Sequence, residues 1–245
     1  MDLKETQAGN ENRHPWETSR VDALQDILSD FLTPGMRILD IGCGDGFVAE
    51  TLFTEIPGLK ITAVDTNLSD RQLREFTAAK AGISFRKELP DEGGFDVVLL
   101  LDVMEHVEED ISFLKGIVDR HLAASGLVMI TVPAFQAIFS GHDVFLGHYR
   151  RYSMTQLLRV VEAAGLKPRR CGYLFFSLLL PKLVLFKLMK PADSCQGVGH
   201  WRRGALITSL VHLALKLDNK ILLAAGRLGV TLPGLTGWVL CEKQG

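Results

Sequence analysis

The sequence predicts an α/β fold: a doubly wound, mostly parallel sheet of seven strands with helices on both faces and an α-helical insertion before the last strand. Three observations carry this expectation. Short apolar runs alternate with helical patterns from residue 37 onward. The first run ends in Ile38-Leu39-Asp40-Ile41-Gly42-Cys43-Gly44-Asp45-Gly46, where three glycines at alternate positions have carboxylates beside them. Beyond residue 175 the alternation stops, and two long apolar segments precede one more short run.

Taken in order, residues 1–13 show no periodicity, and an amphipathic helix is expected from Ser19 to Leu32, closed by Thr33-Pro34-Gly35. Apolar runs at 37–41, 60–64, 97–101 and 127–132 read as buried strands, with a weaker one at 83–87. Helical patterns fall near 46–54, 68–80 and 108–119. Residues 142–152 read as a polar loop, 154–165 as a helix closed by Gly165, and 168–174 as a strand. The pattern divides the chain into an N-terminal segment (1–35), a sheet core (36–175), a basic and apolar helical insertion (176–235) and a final strand (236–245).

With 245 residues and 47% hydrophobic content the chain can bury one large core. A formal net charge of −2 gives no general attraction to nucleic acid, and none is expected as a partner. The distribution says more. From Lys167 to Arg227, eleven Lys or Arg stand against Asp193 and Asp218, a local +9 that leaves −11 on the rest. Cys43, Cys171, Cys195 and Cys241 are far apart and lack zinc-ligand spacing, which suits a reducing compartment and no metal. The N-terminus lacks the basic-then-apolar order of a signal peptide, so a cytoplasmic location is expected.

Glycines at the end of a first strand let a ligand approach the main chain, and the following helix offers free N–H groups. A dinucleotide site would space them G-x-G-x-x-G around a pyrophosphate. Here the spacing is Gly42-x-Gly44-x-Gly46, and Asp40 and Asp45 would repel an anion. A ligand with a cationic amino or sulfonium group is favoured. Asp65 stands at the end of the second strand, where an acid accepts ribose hydroxyls, and "FDVVLLLDVMEHV" ends a buried strand at Asp102. Asp40, Asp65 and Asp102 would therefore meet at one rim.

With these residues in view, the chain resembles the class I S-adenosylmethionine-dependent methyltransferases over roughly residues 36–175 and the last strand. The resemblance implies a Rossmann-like methyltransferase sheet and S-adenosyl-L-methionine as cofactor. It implies that Gly42, Cys43 and Gly44 border the methionine part, that Asp40 orients its amino group, and that Asp65 takes the ribose. Thr66, Asp102 and Val103 complete the cofactor set, and Glu88 is a candidate near the adenine. Cys43 reads as a small packing residue.

Methyl transfer requires alignment of donor and acceptor and exclusion of water, with a base only where the acceptor must lose a proton. "VPAFQAIFSGHDVFLGHYRRYS" collects titratable groups at the same rim. His142 or His148 is the candidate base, with Tyr149 and His106 as further catalytic candidates; either histidine could instead hold the loop in shape. Arg150 and Arg151 could clamp an acidic group of the acceptor. "GHYRRYS" with His14, Pro15, Trp16 and Arg20 further resembles bacterial methyltransferases associated with glycan or lipid metabolism.

In the insertion, Thr208, Ser209, His212, Lys216, Asn219, Lys220 and Arg227 share an arc of about 120°, with Asp218 and Leu223 as exceptions. With His212 counted as a basic residue, the longest uncharged stretch of the two apolar segments, Cys171 to Pro181, is eleven residues, too short to span a bilayer. Two readings follow: the pair lies on an anionic membrane surface, or its apolar faces pack on each other and on the core. The reading is a cytosolic methyltransferase of a small-molecule, glycan or lipid-linked acceptor, in part a peripheral membrane protein. Its rivals are a nicotinamide (NAD(P)) oxidoreductase, opposed by the glycine spacing, and a non-catalytic cofactor-binding membrane scaffold.

Overall fold

The computed structural model describes residues 13–53, 56–188, 201 and 203–244. Seven strands, β1 (Arg37–Ile41), β2 (Lys60–Val64), β3 (Ile83–Arg86), β4 (Phe95–Leu101), β5 (Leu122–Pro133), β6 (Leu166–Leu174) and β7 (Thr236–Lys243), form one sheet in the order β3-β2-β1-β4-β5-β7-β6. Only β7 is antiparallel to its neighbours β5 and β6. The winding reverses between β1 and β4, which opens a crevice at their carboxyl ends.

Alternation along the strands feeds two cores. Ile38 of β1 joins Leu24, Ile27, Phe53 and Trp238 on one face, whereas Leu39 joins Leu114, Ile117, Leu157 and Val161 on the other. The helices that supply these faces are α1 (Pro15–Leu28), α2 (Phe47–Phe53), α3 (Asp70–Ala79), α4 (Asp110–Arg120) and α6 (Met154–Ala163). α1 begins four residues before the expected start, because Pro15 suits the first helical position and His14 Nδ1 accepts from the Trp16 N–H at 3.1 Å. The expected loop at 142–152 contains a further short helix, α5 (Gly141–Leu146). Asp143 closes it by accepting from the Ser140 N–H at 2.8 Å and the Ser140 hydroxyl at 3.1 Å.

The insertion supplies α7 (Phe176–Leu188) and α8 (Ala205–Arg227). α8 packs on α1 and β6 through a mixed side, in which Leu215, Leu222 and Leu223 are buried beside Asn219. Asn219 is buried, accepts from the Phe175 N–H at 3.0 Å and donates to the Ser19 carbonyl at 3.3 Å. His212 and Lys216 lie 2.8 and 3.2 Å from Asp22. A second apolar row is left outside: Leu206, Leu210, Leu213, Leu217 and Ile221 are 54–74% exposed. The reading in which the apolar faces pack on the core holds in part, through Leu215, Leu222 and Leu223. Of the polar arc, His212, Lys216 and Asn219 turn inward, fastened by a buried amide and an ion pair, whereas Ser209, Lys220 and Arg227 are exposed. Lys187 and Lys190 of the first insertion segment lie outside the described side chains, as does Cys195. Among the described residues no helix is long and apolar enough to cross a membrane.

Candidate active site

The glycine turn is held by its own backbone. Gly42 and Cys43 donate to the Val64 carbonyl at 2.8 and 3.1 Å, and Gly44 donates to Asp65 Oδ2 at 2.9 Å. Gly42 adopts φ 73°, and a Cβ there would lie 2.5 Å from Val103 Cγ2, so the turn closes tightly against the end of β4. Asp65 is half-buried, also accepts from the Asn67 N–H at 2.9 Å, and retains lone pairs for further donors. Thr66 beside it and Glu88 beyond β3 are exposed. Cys43 is buried, and burial together with Asp40, Asp65 and Asp45 pushes its thiol far up, so it is no nucleophile.

Under this turn lies a polar wall with unspent capacity. Asp40 Oδ2, Glu17 Oε1, Arg20 Nε and Glu105 Oε2 are buried and have no hydrogen-bond partner among the described residues. Burial, with Asp65 as a like-charge neighbour, raises the Asp40 carboxyl to about 7. Burial and Asp102 hold Glu105 well above the usual carboxylate range. Arg20, 1% exposed, pairs with Asp102 and lies over the Trp16 ring at 4.7 Å. Against its partial burial, Arg20 and the Thr131 hydroxyl, 3.0 Å away, keep Asp102 below the ordinary carboxylate range. Asp102 itself has φ 57°, as Phe135 and Phe175 have φ 64° at the ends of β5 and β6. Strained residues at the ends of β4, β5 and β6 mark this rim. Arg13 pairs with Asp45 and lies over Phe47, tying the start of α1 to the glycine turn.

These groups fit S-adenosylmethionine. Buried acceptors at Asp40 and Glu17 match an ammonium, the spare donor of Arg20 matches a carboxylate, and Asp65 matches a ribose. Val103 lines the close approach of β4 to the turn.

On the other side of Glu105 the groups are spent on one another. His148 Nδ1 lies 2.9 Å from Asp143 Oδ1, which also accepts from Arg151 Nε at 2.8 Å. Despite burial, His148 and Arg151 hold Asp143 far below the usual range. The His106 and His148 rings meet edge to face at 4.6 Å. Glu105, His106 and His148 each offer a ligand atom, all within 4.8 Å of one another, so the trio could seat a cation or share a proton. Lys182 of α7 borders this group; burial and Arg151 lower its amine to about 8, with Asp143 acting the other way.

The expected arginine clamp does not take shape. Arg151 is buried as the brace of Asp143, and Arg150 donates to Asp110 at 3.1 Å and to the Glu108 carbonyl at 2.7 Å. Tyr149 is 53% exposed and joins the site through its N–H, which donates to the Glu105 carbonyl at 2.8 Å. His142 is half-buried on α5. The sequence reading missed roles for Glu17, Arg20, Thr131 and Lys182. Arg20 was grouped with His14, Pro15 and Trp16, but its partner is 82 residues away.

A sheet of this order with a glycine turn and a ribose-type acid at adjoining strand ends defines a class I methyltransferase fold. A family profile for a methyltransferase domain matches residues 16–170, and the chain belongs to that family. Family and fold are therefore those of the class I methyltransferase domains, and the nicotinamide reading falls away. Its relatives include a ubiquinone biosynthesis O-methyltransferase of Rickettsia typhi, 31% identical over 102 residues, covering 39% of this chain and 40% of that one. The chain thus spans about two fifths of the length of that relative. An S-adenosylmethionine-dependent methyltransferase from Mesorhizobium loti shares the fold at TM-score 0.58 and 16% identity, over 91% of this chain and 100% of that one. Haemonchus contortus phosphoethanolamine N-methyltransferase 2 does so at TM-score 0.56 and 18% identity, over 94% and 53%.

Proposed function

We propose that this methyltransferase acts on a hydroxyl oxygen of a small, amphiphilic acceptor met at an anionic membrane surface, with His148 as the general base. The observation that carries the base assignment is the 2.9 Å contact between His148 Nδ1 and Asp143. A carboxylate there fixes the imidazole tautomer and leaves the other nitrogen to take the proton. When bound, S-adenosylmethionine supplies a methyl group on a cationic sulfur. The chain's own part is to hold the amino-acid end at Asp40 and Arg20, to hold the ribose at Asp65, and to exclude water beneath α1. The O-methyltransferase name of the Rickettsia relative supports oxygen as the methylated atom. The exposed apolar side of α8 supports an amphiphilic setting.

The test is transfer of labelled methyl from S-adenosylmethionine to hydroxylated aromatic and lipid-linked acceptors. His148→Ala should lower kcat by about 10²–10⁴ with cofactor affinity unchanged. An unaltered kcat on the acceptor that the wild type methylates would refute the base assignment.

A further inference from the structure

Behind α8, away from the catalytic rim, β6 and the C-terminal end of the helix enclose a cavity of about 310 Å³. Its volume falls in the range of small-ligand sites. Arg169, Arg170 and Arg227 line it together with Trp238, Gly172 and Val230. Arg169 spends its charge on Glu242 at 3.3 Å, and Arg170 lies 3.7 Å from Asp30, itself largely exposed. Arg227 has no ion-pair partner among the described residues. Three guanidinium groups thus face two carboxylates, and the carbonyl end of α8 offsets only about half a charge. The wall also holds an unspent donor. Trp238 is 3% exposed, its indole N–H has no acceptor, and it sits 3.2 Å from where a Cβ on Gly172 would be.

The cavity opens beside the apolar stripe. Val230 lines it and is 52% exposed, and next to it Leu228 is 83% exposed. From there the stripe runs back through Ile221, Leu217, Leu213 and Leu210 to Leu206, a length of about 33 Å at helical rise. A contiguous apolar strip of this size marks an interaction surface. The exposed charges flanking it are Arg203, Lys220 and Arg227, and the single acid of α8, Asp218, is turned to Ser177, whose N–H and hydroxyl donate to it at 3.0 and 2.9 Å. A second copy of the chain would set these cations against their own kind. An anionic bilayer complements them.

We propose that this cavity receives the phosphate of an anionic phospholipid headgroup while the outer stripe of α8 lies in the adjoining acyl layer. The assignment rests on the membrane reading above and gives it an address: Arg227 and the Trp238 N–H bind the headgroup, and Leu213 and Leu217 supply the apolar contact. It also orients the enzyme. α1, which covers the cofactor wall, is fastened to the inner side of the helix that touches lipid.

Co-sedimentation of the full chain with vesicles of phosphatidylcholine, with and without phosphatidylglycerol, tests this. Wild type should partition to the phosphatidylglycerol vesicles and quench or shift Trp238 emission there, read against Trp238→Phe. Arg227→Glu should lower that partition at least about tenfold and leave the weaker phosphatidylcholine binding as it was. Leu213→Ser with Leu217→Ser should abolish both, and S-adenosylhomocysteine binding by each variant confirms the fold. Equal partition of Arg227→Glu and wild type overturns the headgroup site while the membrane reading stands. Wild type absent from every vesicle overturns both. A Trp238 response to inorganic phosphate alone, or dimers that the Leu213→Ser, Leu217→Ser chain no longer forms, would assign the cavity or the stripe to another occupant and overturn the proposal.

Discussion

The two halves of the rim are built on opposite terms. The wall under the glycine turn keeps Asp40, Glu17 and Arg20 buried with polar atoms unspent, whereas the loop from Ala134 to Tyr152 spends its charges internally, Arg151 and His148 on Asp143 and Arg150 on Asp110. Desolvated groups without partners destabilise the empty protein and reward a ligand that supplies them. A satisfied network does the reverse: it is rigid without ligand and presents one imidazole in a fixed place. On the proposed function, binding strength resides in the first half and positioning in the second. Glu105 is the joint, with its buried oxygen unspent toward one side and its carbonyl holding Tyr149 on the other.

The largest effect that could break this contrast lies at Asp40. Its carboxyl titrates at about 7 in the folded chain and near ~4 unfolded. Between those values the folded chain holds a proton that the unfolded chain has released, so stability falls as pH rises through the window and stays lowered above it. Asp40→Asn should thus stabilise the ligand-free protein above pH ~7, by up to ~4 kcal/mol, and match wild type below pH ~4, as read from urea unfolding across pH. No gain above neutrality would mean the wall is hydrated and not strained.

A somewhat smaller effect is expected at Arg20. Arg20→Ala removes the cation that keeps Asp102 ionised and should cost about 3 kcal/mol, the low end for such pairs because the Asp102 side chain is 28% exposed. The same unfolding assay checks it, and a cost near zero would place the pair among surface contacts.

The parts of this contrast were not equally legible in the sequence. The sheet was, because buried strands of β-branched and leucine residues such as "VVLLL" alternate with amphipathic helices, and period and order suffice to specify the winding. Asp40, Asp65 and Asp102 were legible as strand-end acids, since position after an apolar run is a local property. Arg20 was not, because its meaning comes from Asp102, brought to it only by folding α1 across the rim. The short α5 hid inside a polar segment too brief for periodicity. For α8 the helical wheel showed two faces but not which turns inward. The inner side is the one that carries Asn219, whose amide bonds to the backbone at Phe175 and Ser19, together with the buried Leu215, Leu222 and Leu223.

The central claim is that the amino-acid and ribose parts of the cofactor occupy the unspent wall under the glycine turn. Calorimetric titration of S-adenosylhomocysteine into wild type and Asp65→Ala is its most direct measurement. Affinity should drop by about tenfold to a hundredfold when the ribose hydroxyls lose their acceptor. Equal affinity for the two chains would contradict the claim.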